Sequence, residues 1–240
     1  MTGARRGLVL PALFAAACVA LFAGLGVWQL RRLAWKEALI ERIEAREAAP
    51  ATPLPPAADR AGLKADDYAF ARVTARGAFA GREALVFAGP VAVDRGPAQS
   101  GYFVLTPFRL AAGGVALVNR GFAPMDVAER GGFAPPPAGE IDIVARMRPP
   151  ERRGVFTPAD EPARGRFFAQ DASAIAPALG LADAAPFTLD ALAGEGPANG
   201  WPRPVARLER PPNNHLSYAL TWFGLAATTA VFFAVWARRR

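Results

Sequence analysis

GLVLPALFAAACVALFAGLGVWQL, residues 7–30, runs for 24 positions without a charge, and LSYALTWFGLAATTAVFFAVWA, residues 216–237, does so for 22. At about 1.5 Å of rise per helical residue, either run can cross a hydrocarbon core of roughly 30 Å. Of the 23 prolines only Pro11 falls inside either run, the others lying between Pro50 and Pro212, so both runs are almost free of helix breakers. Two transmembrane helices are predicted. A cleaved signal sequence is the alternative for the first, with Arg5 and Arg6 as its basic start and Ala15, Ala16 and Ala17 as small residues at a cleavage site. The run exceeds the roughly 7–15 apolar residues of such a core and continues into Trp28 and Gln29, which favours an uncleaved span. Trp28 and Trp35 near the end of the first run, and Trp222 and Trp236 in the second, suit interfacial anchoring.

The formal charge of +7 is concentrated at the ends of these runs. Setting aside Arg5, Arg6, Arg238, Arg239 and Arg240 leaves 23 of the 28 basic residues against all 21 acidic ones, a net +2 for the middle of the chain. A basic stripe across a soluble face is therefore missing, and nucleic-acid binding is discounted. Cys18 is the one cysteine and His215 the one histidine. That excludes, within one chain, a disulfide framework, CxxC redox chemistry, c-type haem attachment, a tetrahedral zinc site and a two-cysteine copper relay. Any hydrolytic triad would have to be built on that single imidazole, and no nucleophile–base pair is evident, so the chain is expected not to be an enzyme. No G-x-G-x-x-G, G-x-x-x-x-G-K-[ST] or H-E-x-x-H occurs.

Two spans place both termini, 1–6 and 238–240, on one side and 31–215 on the other. Charge counting leaves the orientation open: Arg31, Arg32, Lys36, Arg42 and Arg46 outnumber Arg5 and Arg6, whereas Arg238, Arg239 and Arg240 favour a cytoplasmic tail. Residues 31–47 keep helical spacing through Leu33, Lys36, Leu39 and Ile43, so the first helix is predicted to continue out of the membrane. The Pro-rich stretch 50–56 reads as a linker. Beyond it, strands are predicted at 68–79, 83–93, 101–110, 114–120, 140–148, 165–170 and 186–192, with Gly-Gly turns at 113–114 and 131–132. A short helix over 171–180 has Asp171 as N-cap and is weakened by Pro177. The expected fold is two transmembrane α-helices flanking a soluble, mainly-β domain, an antiparallel barrel or sandwich with minor helical additions.

His215 follows Pro211-Pro212-Asn213-Asn214 and opens the second span, which puts it at the aqueous boundary in the first helical turn. Tyr218 at i+3 and Trp222 at i+7 are expected on its face. Two readings stand: an axial ligand to haem iron, for which one neutral imidazole suffices, or a boundary residue hydrogen-bonded to a headgroup or carbonyl. Arg31, Arg32 and Arg210 lie on the same side and could meet propionates, or could simply be solvated among headgroups. Trp28 is the aromatic nearest that boundary on the first span. Asn119-Arg120-Gly121 reads as a strand end and turn, with Arg120 solvated or ion-paired.

Leu25-Gly26-Val27-Trp28-Gln29-Leu30-Arg31-Arg32-Leu33-Ala34-Trp35-Lys36 and Asn213-Asn214-His215-Leu216-Ser217-Tyr218-Ala219-Leu220-Thr221-Trp222-Phe223 together resemble the Surfeit locus protein family, the membrane-bound assembly factors of haem-copper cytochrome c oxidase. Weaker matches follow in the family's order: Tyr68 with Val73, Gly77 and Phe79; Gly101 to Pro107; Val118 to Phe122; and Trp201 to Pro204. Phe122 stands where the family usually has Trp, and in Phe167-Phe168-Ala169-Gln170-Asp171 the family more often has Trp beside the Asp. The resemblance implies termini in the cytoplasm or matrix, a β domain in the periplasm or intermembrane space, and supply of haem a to subunit I of the oxidase. Bacterial members have been linked to haem a through the histidine matching His215. The implied partners are subunit I, haem a synthase and the lipid bilayer. With six residues ahead of the first span, the expected location is a bacterial cytoplasmic membrane. A scaffold that steadies an oxidase intermediate without touching haem is the alternative.

Overall fold

The computed structural model describes residues 3–93, 96–192, 197, 200–204 and 213–239. Met1, Thr2, Arg210 and Arg240 lie outside the described residues. The chain divides into two compact units, Met1–Arg42 with Glu209–Arg240 and Ile43–Leu208.

In chain order the elements are α1 (Gly3–Ala48), β1 (Thr52–Pro53), α2 (Ala57–Arg60), α3 (Ala65–Tyr68), β2 (Arg72–Phe79), β3 (Ala84–Val91), β4 (Gln99–Leu110), β5 (Val115–Pro124), α4 (Met125–Glu129), β6 (Glu140–Arg148), a 3-10 turn at Pro162–Arg164, β7 (Arg166–Phe167), α5 (Ala172–Ala178), β8 (Ala184–Ala191) and α6 (His215–Arg238). Helices α1 and α6 are long and apolar enough to cross a membrane. The 46-residue α1 passes without a break from the apolar run into the segment 31–47, as its unbroken helical spacing predicts.

In the strand unit, eight strands run in the order β1-β2-β6-β8-β5-β4-β3-β7, and β2 also pairs with β4. That extra pairing, Gly77 opposite Leu110 through Phe79 opposite Phe108, closes β2, β6, β8, β5 and β4 into a ring. Closure depends on Gly77, because any Cβ there would collide with the Arg109 carbonyl. Alternate residues of the ring strands meet inside it: Val73 and Ala75, Ile143 and Met147, Phe187 and Leu189, Val118, Phe108 and Leu110. Outside the ring, Val86, Leu105, Leu117 and Phe167 pack with Ile175 of α5 in a second cluster. Asp171 caps α5 by accepting from the Ser173 amide at 2.9 Å. The last turn of α1 is bound to this unit: Glu47 pairs with the buried Arg146 at 2.7 Å, and Arg46 donates to the carbonyls of Ala69 and Asp66.

Four expectations are corrected. The sheet is mixed, not antiparallel: β1 runs parallel to β2, β7 to β3, and β8 to β5. Parallel neighbours need a long crossover, and the segment from α4 through β6 to α5 supplies it for β5 and β8. The strand expected to start at 68 starts at Arg72, because Ala65–Tyr68 is a helical turn that inserts Tyr68 against Phe187, ring centroids 5.5 Å apart. Pro53 in the linker 50–56 joins a two-residue strand at the sheet edge, where a missing N–H costs little. Of the strand expected at 165–170, only Arg166–Phe167 pairs, since the chain then bends toward the Asp171 cap.

Candidate functional site

Within the helical unit, α6 meets α1 along one line of side chains. Phe22, Gly26 and Gln29, spaced four and three apart on α1, form one half, and Ala219, Trp222, Phe223 and Ala226 of α6 form the other. Phe22 and Trp222 stack, with ring centroids 5.8 Å apart and planes at 26°. Gly26 permits the close approach, because a Cβ on it would lie 2.6 Å from the Phe223 ring. At the head of this line the His215 ring nitrogen Nδ1 lies 2.7 Å from the Gln29 side-chain oxygen. Gln29 is buried, 9% exposed, within a run that carries no charge.

An amide oxygen can only accept, so Nδ1 is the donor, and a ring carrying a single proton holds it there and keeps its lone pair on Nε2. Among the described residues Nε2 has no hydrogen-bond partner. His215 is half-buried and is the first residue of α6.

The structure brings His215 and Trp222 to the α1-facing line and leaves the other expected site residues off it. Tyr218 is 56% exposed: the line continues from 215 through 219, 222 and 226, and i+3 falls to one side of it. Trp28 is 55% exposed, and Arg31 and Arg32 are exposed, the Arg32 guanidinium standing 4.1 Å from the centre of the Trp35 ring. Arg210 lies outside the described residues. The residue that sequence reasoning passed over is Gln29. Its signal was available, since a polar amide within an apolar span needs a partner inside the protein.

In the strand unit one group of buried polar side chains satisfies its members mutually. Asp190 accepts from Asn119 at 3.0 Å, from Gln170 at 2.9 Å and from Arg148 at 3.0 Å, while Gln170 also donates to Thr188 at 2.7 Å. Arg120, left open above between solvated and ion-paired, is buried and paired with Glu83 at 2.6 Å, and donates to the Ala134 carbonyl. Burial holds the Arg120 pKa below its ordinary value, and Glu83 offsets only part of that. Among the described residues no three His, Cys, Asp or Glu side chains come together as a metal cluster.

A closed ring of strands between two membrane-type helices in the sequence, with one imidazole at the head of the helix pair, fits a membrane protein with a β-rich domain. The chain belongs to the SURF1 family, which matches residues 16–227. It is similar to Surfeit locus protein 1 of Mus musculus, 35% identical over 90% of this chain and 72% of that one. It is similar also to the Homo sapiens protein of the same name, 34% identical over 86% and 71%, and to a SURF1-like protein of Monosiga brevicollis, 33% identical over 90% and 83%.

Proposed function

We propose that this chain is a non-enzymatic assembly factor for haem-copper cytochrome c oxidase, holding haem a at the outer boundary of a bacterial cytoplasmic membrane for insertion into subunit I. In this reading the termini are cytoplasmic and the strand unit periplasmic, and its ring of strands is a small barrel. The family resemblance set out above supports the role, including haem a synthase and subunit I as partners. The observation that carries the haem reading is the state of His215: the chain's one imidazole, half-buried at the start of the second span, with Nε2 unengaged among the described residues.

The residues present fit the group. A haem iron takes a single neutral imidazole nitrogen, and His215 offers one while its other nitrogen is held. Bound haem a would supply the iron that this nitrogen ligates. His215 would hold it, Trp222 and Tyr218 would offer aromatic surface on the same helix, and Arg31, Arg32 and Trp28, with Arg210 by its place in the sequence, would be the boundary side chains for its propionates and rim. The test is the visible spectrum of the detergent-purified protein, co-expressed with the enzymes of haem a synthesis, beside His215→Ala. A haem a Soret band lost in the variant is the expected result. A colourless wild-type protein that still co-purifies with subunit I would replace the carrier with a scaffold.

A further inference from the structure

Among the described residues the Gln29 amide is the buried polar side chain that α1 brings to the line against α6, and it engages the ring nitrogen that faces away from any ligand on Nε2. Resting on the haem reading above, we propose that Gln29 is a positioning residue: it fixes His215 as the Nδ1–H tautomer, aims Nε2 outward, and keeps the resulting iron bond weak enough for haem a to leave.

The physical argument has two parts. In water a neutral imidazole prefers its proton on Nε2, so an Nδ1–H ring requires an acceptor placed at Nδ1. Gln29 Oε1, at 2.7 Å and held in a buried helix contact, is that acceptor. The acceptor's strength also sets the ring's donor strength. A carboxylate opposite Nδ1 draws the proton toward itself and makes the far nitrogen a stronger ligand, whereas a neutral amide orients the ring with much less of that push. A resident cofactor benefits from the carboxylate. A cargo that must be passed on is better served by the amide, and this chain places Gln where Glu would differ by one atom.

His215 being the sole histidine, 15N-histidine labelling reports on this ring alone. Spectra of the full-length, haem-free protein in nanodiscs are expected to show the Nδ1–H tautomer in the wild type, conversion to mainly Nε2–H in Gln29→Leu, and restoration of Nδ1–H in Gln29→Glu. Haem a release to excess apomyoglobin is then followed optically. Gln29→Glu is expected to release at least tenfold more slowly than wild type, and Gln29→Leu to bind about tenfold or more weakly. A wild-type ring protonated on Nε2, or a chain that binds haem a but whose release is unchanged by Gln29→Glu, overturns the role of Gln29 and leaves the haem reading standing. A wild-type protein that takes up no haem a while keeping its Nδ1–H signal overturns the haem reading instead, and with it the proposed tuning of release. Should Gln29→Leu fail to insert, the Glu variant carries both measurements unaided.

Discussion

The two units handle polar groups in opposite ways. In the strand unit they come in clusters: Asp190 alone accepts from three side chains, and Arg120 is paired with Glu83 and a carbonyl. In the helical unit, among the described residues, one side-chain hydrogen bond joins α1 to α6, the amide–imidazole contact, beside the stacked Phe22 and Trp222 rings. A cluster in which each member satisfies several others holds a fold together, because removing one member strands the rest. A lone contact at the end of a helix pair contributes little to cohesion, which leaves its chemistry available for something else.

The difference can be tested from its strong end. Phe187, fully buried inside the ring, should cost about 3–5 kcal/mol when truncated to Ala, read as the thermal unfolding of the strand unit in the full chain. Asp190→Ala should follow at about 2–4 kcal/mol, discounted for the partial exposure of Arg148, because Gln170 and Asn119 lose an acceptor in a dry site. At the weak end, Gln29→Leu should change the unfolding of the helix pair in mixed micelles by only about 0.6 kcal/mol, the usual size of an interhelical hydrogen bond in a membrane. A Gln29 effect as large as that of Asp190 would erase the contrast and make the His215 contact a structural one.

The spans, the helix running on from the first of them, and β6 could be read directly, since an uncharged run of over twenty residues and the alternation of Ile141, Ile143, Ala145 and Met147 each admit one physical solution. The parallel partners of β2, β3 and β5 could not, because pairing across a long crossover leaves no local trace. Tyr68 was misassigned because YAFARV alternates like a strand, while the turn ending at it is fixed by where its ring packs. At the site, His215 stood out by being alone. Its neighbours were ordered by helical spacing on its own element, yet the partner that holds it comes from α1, nearly the whole chain away. Tyr218 is left uncovered for the same reason: which side of α6 is covered depends on the other helix.

Ring closure has a consequence for how the protein is made. Strand β2 is bordered by β6 and β4, and β5 by β4 and β8, so the ring cannot close until Ala184–Ala191 is available. Synthesised from its N-terminus, the chain presents β2, β3, β4 and β5 with open edges before the last strand arrives, and the second apolar helix follows shortly behind it. A domain of such high contact order folds slowly and exposes unpaired strands while it waits. The strand unit therefore completes only once Ala184–Ala191 has left the ribosome, shortly ahead of α6.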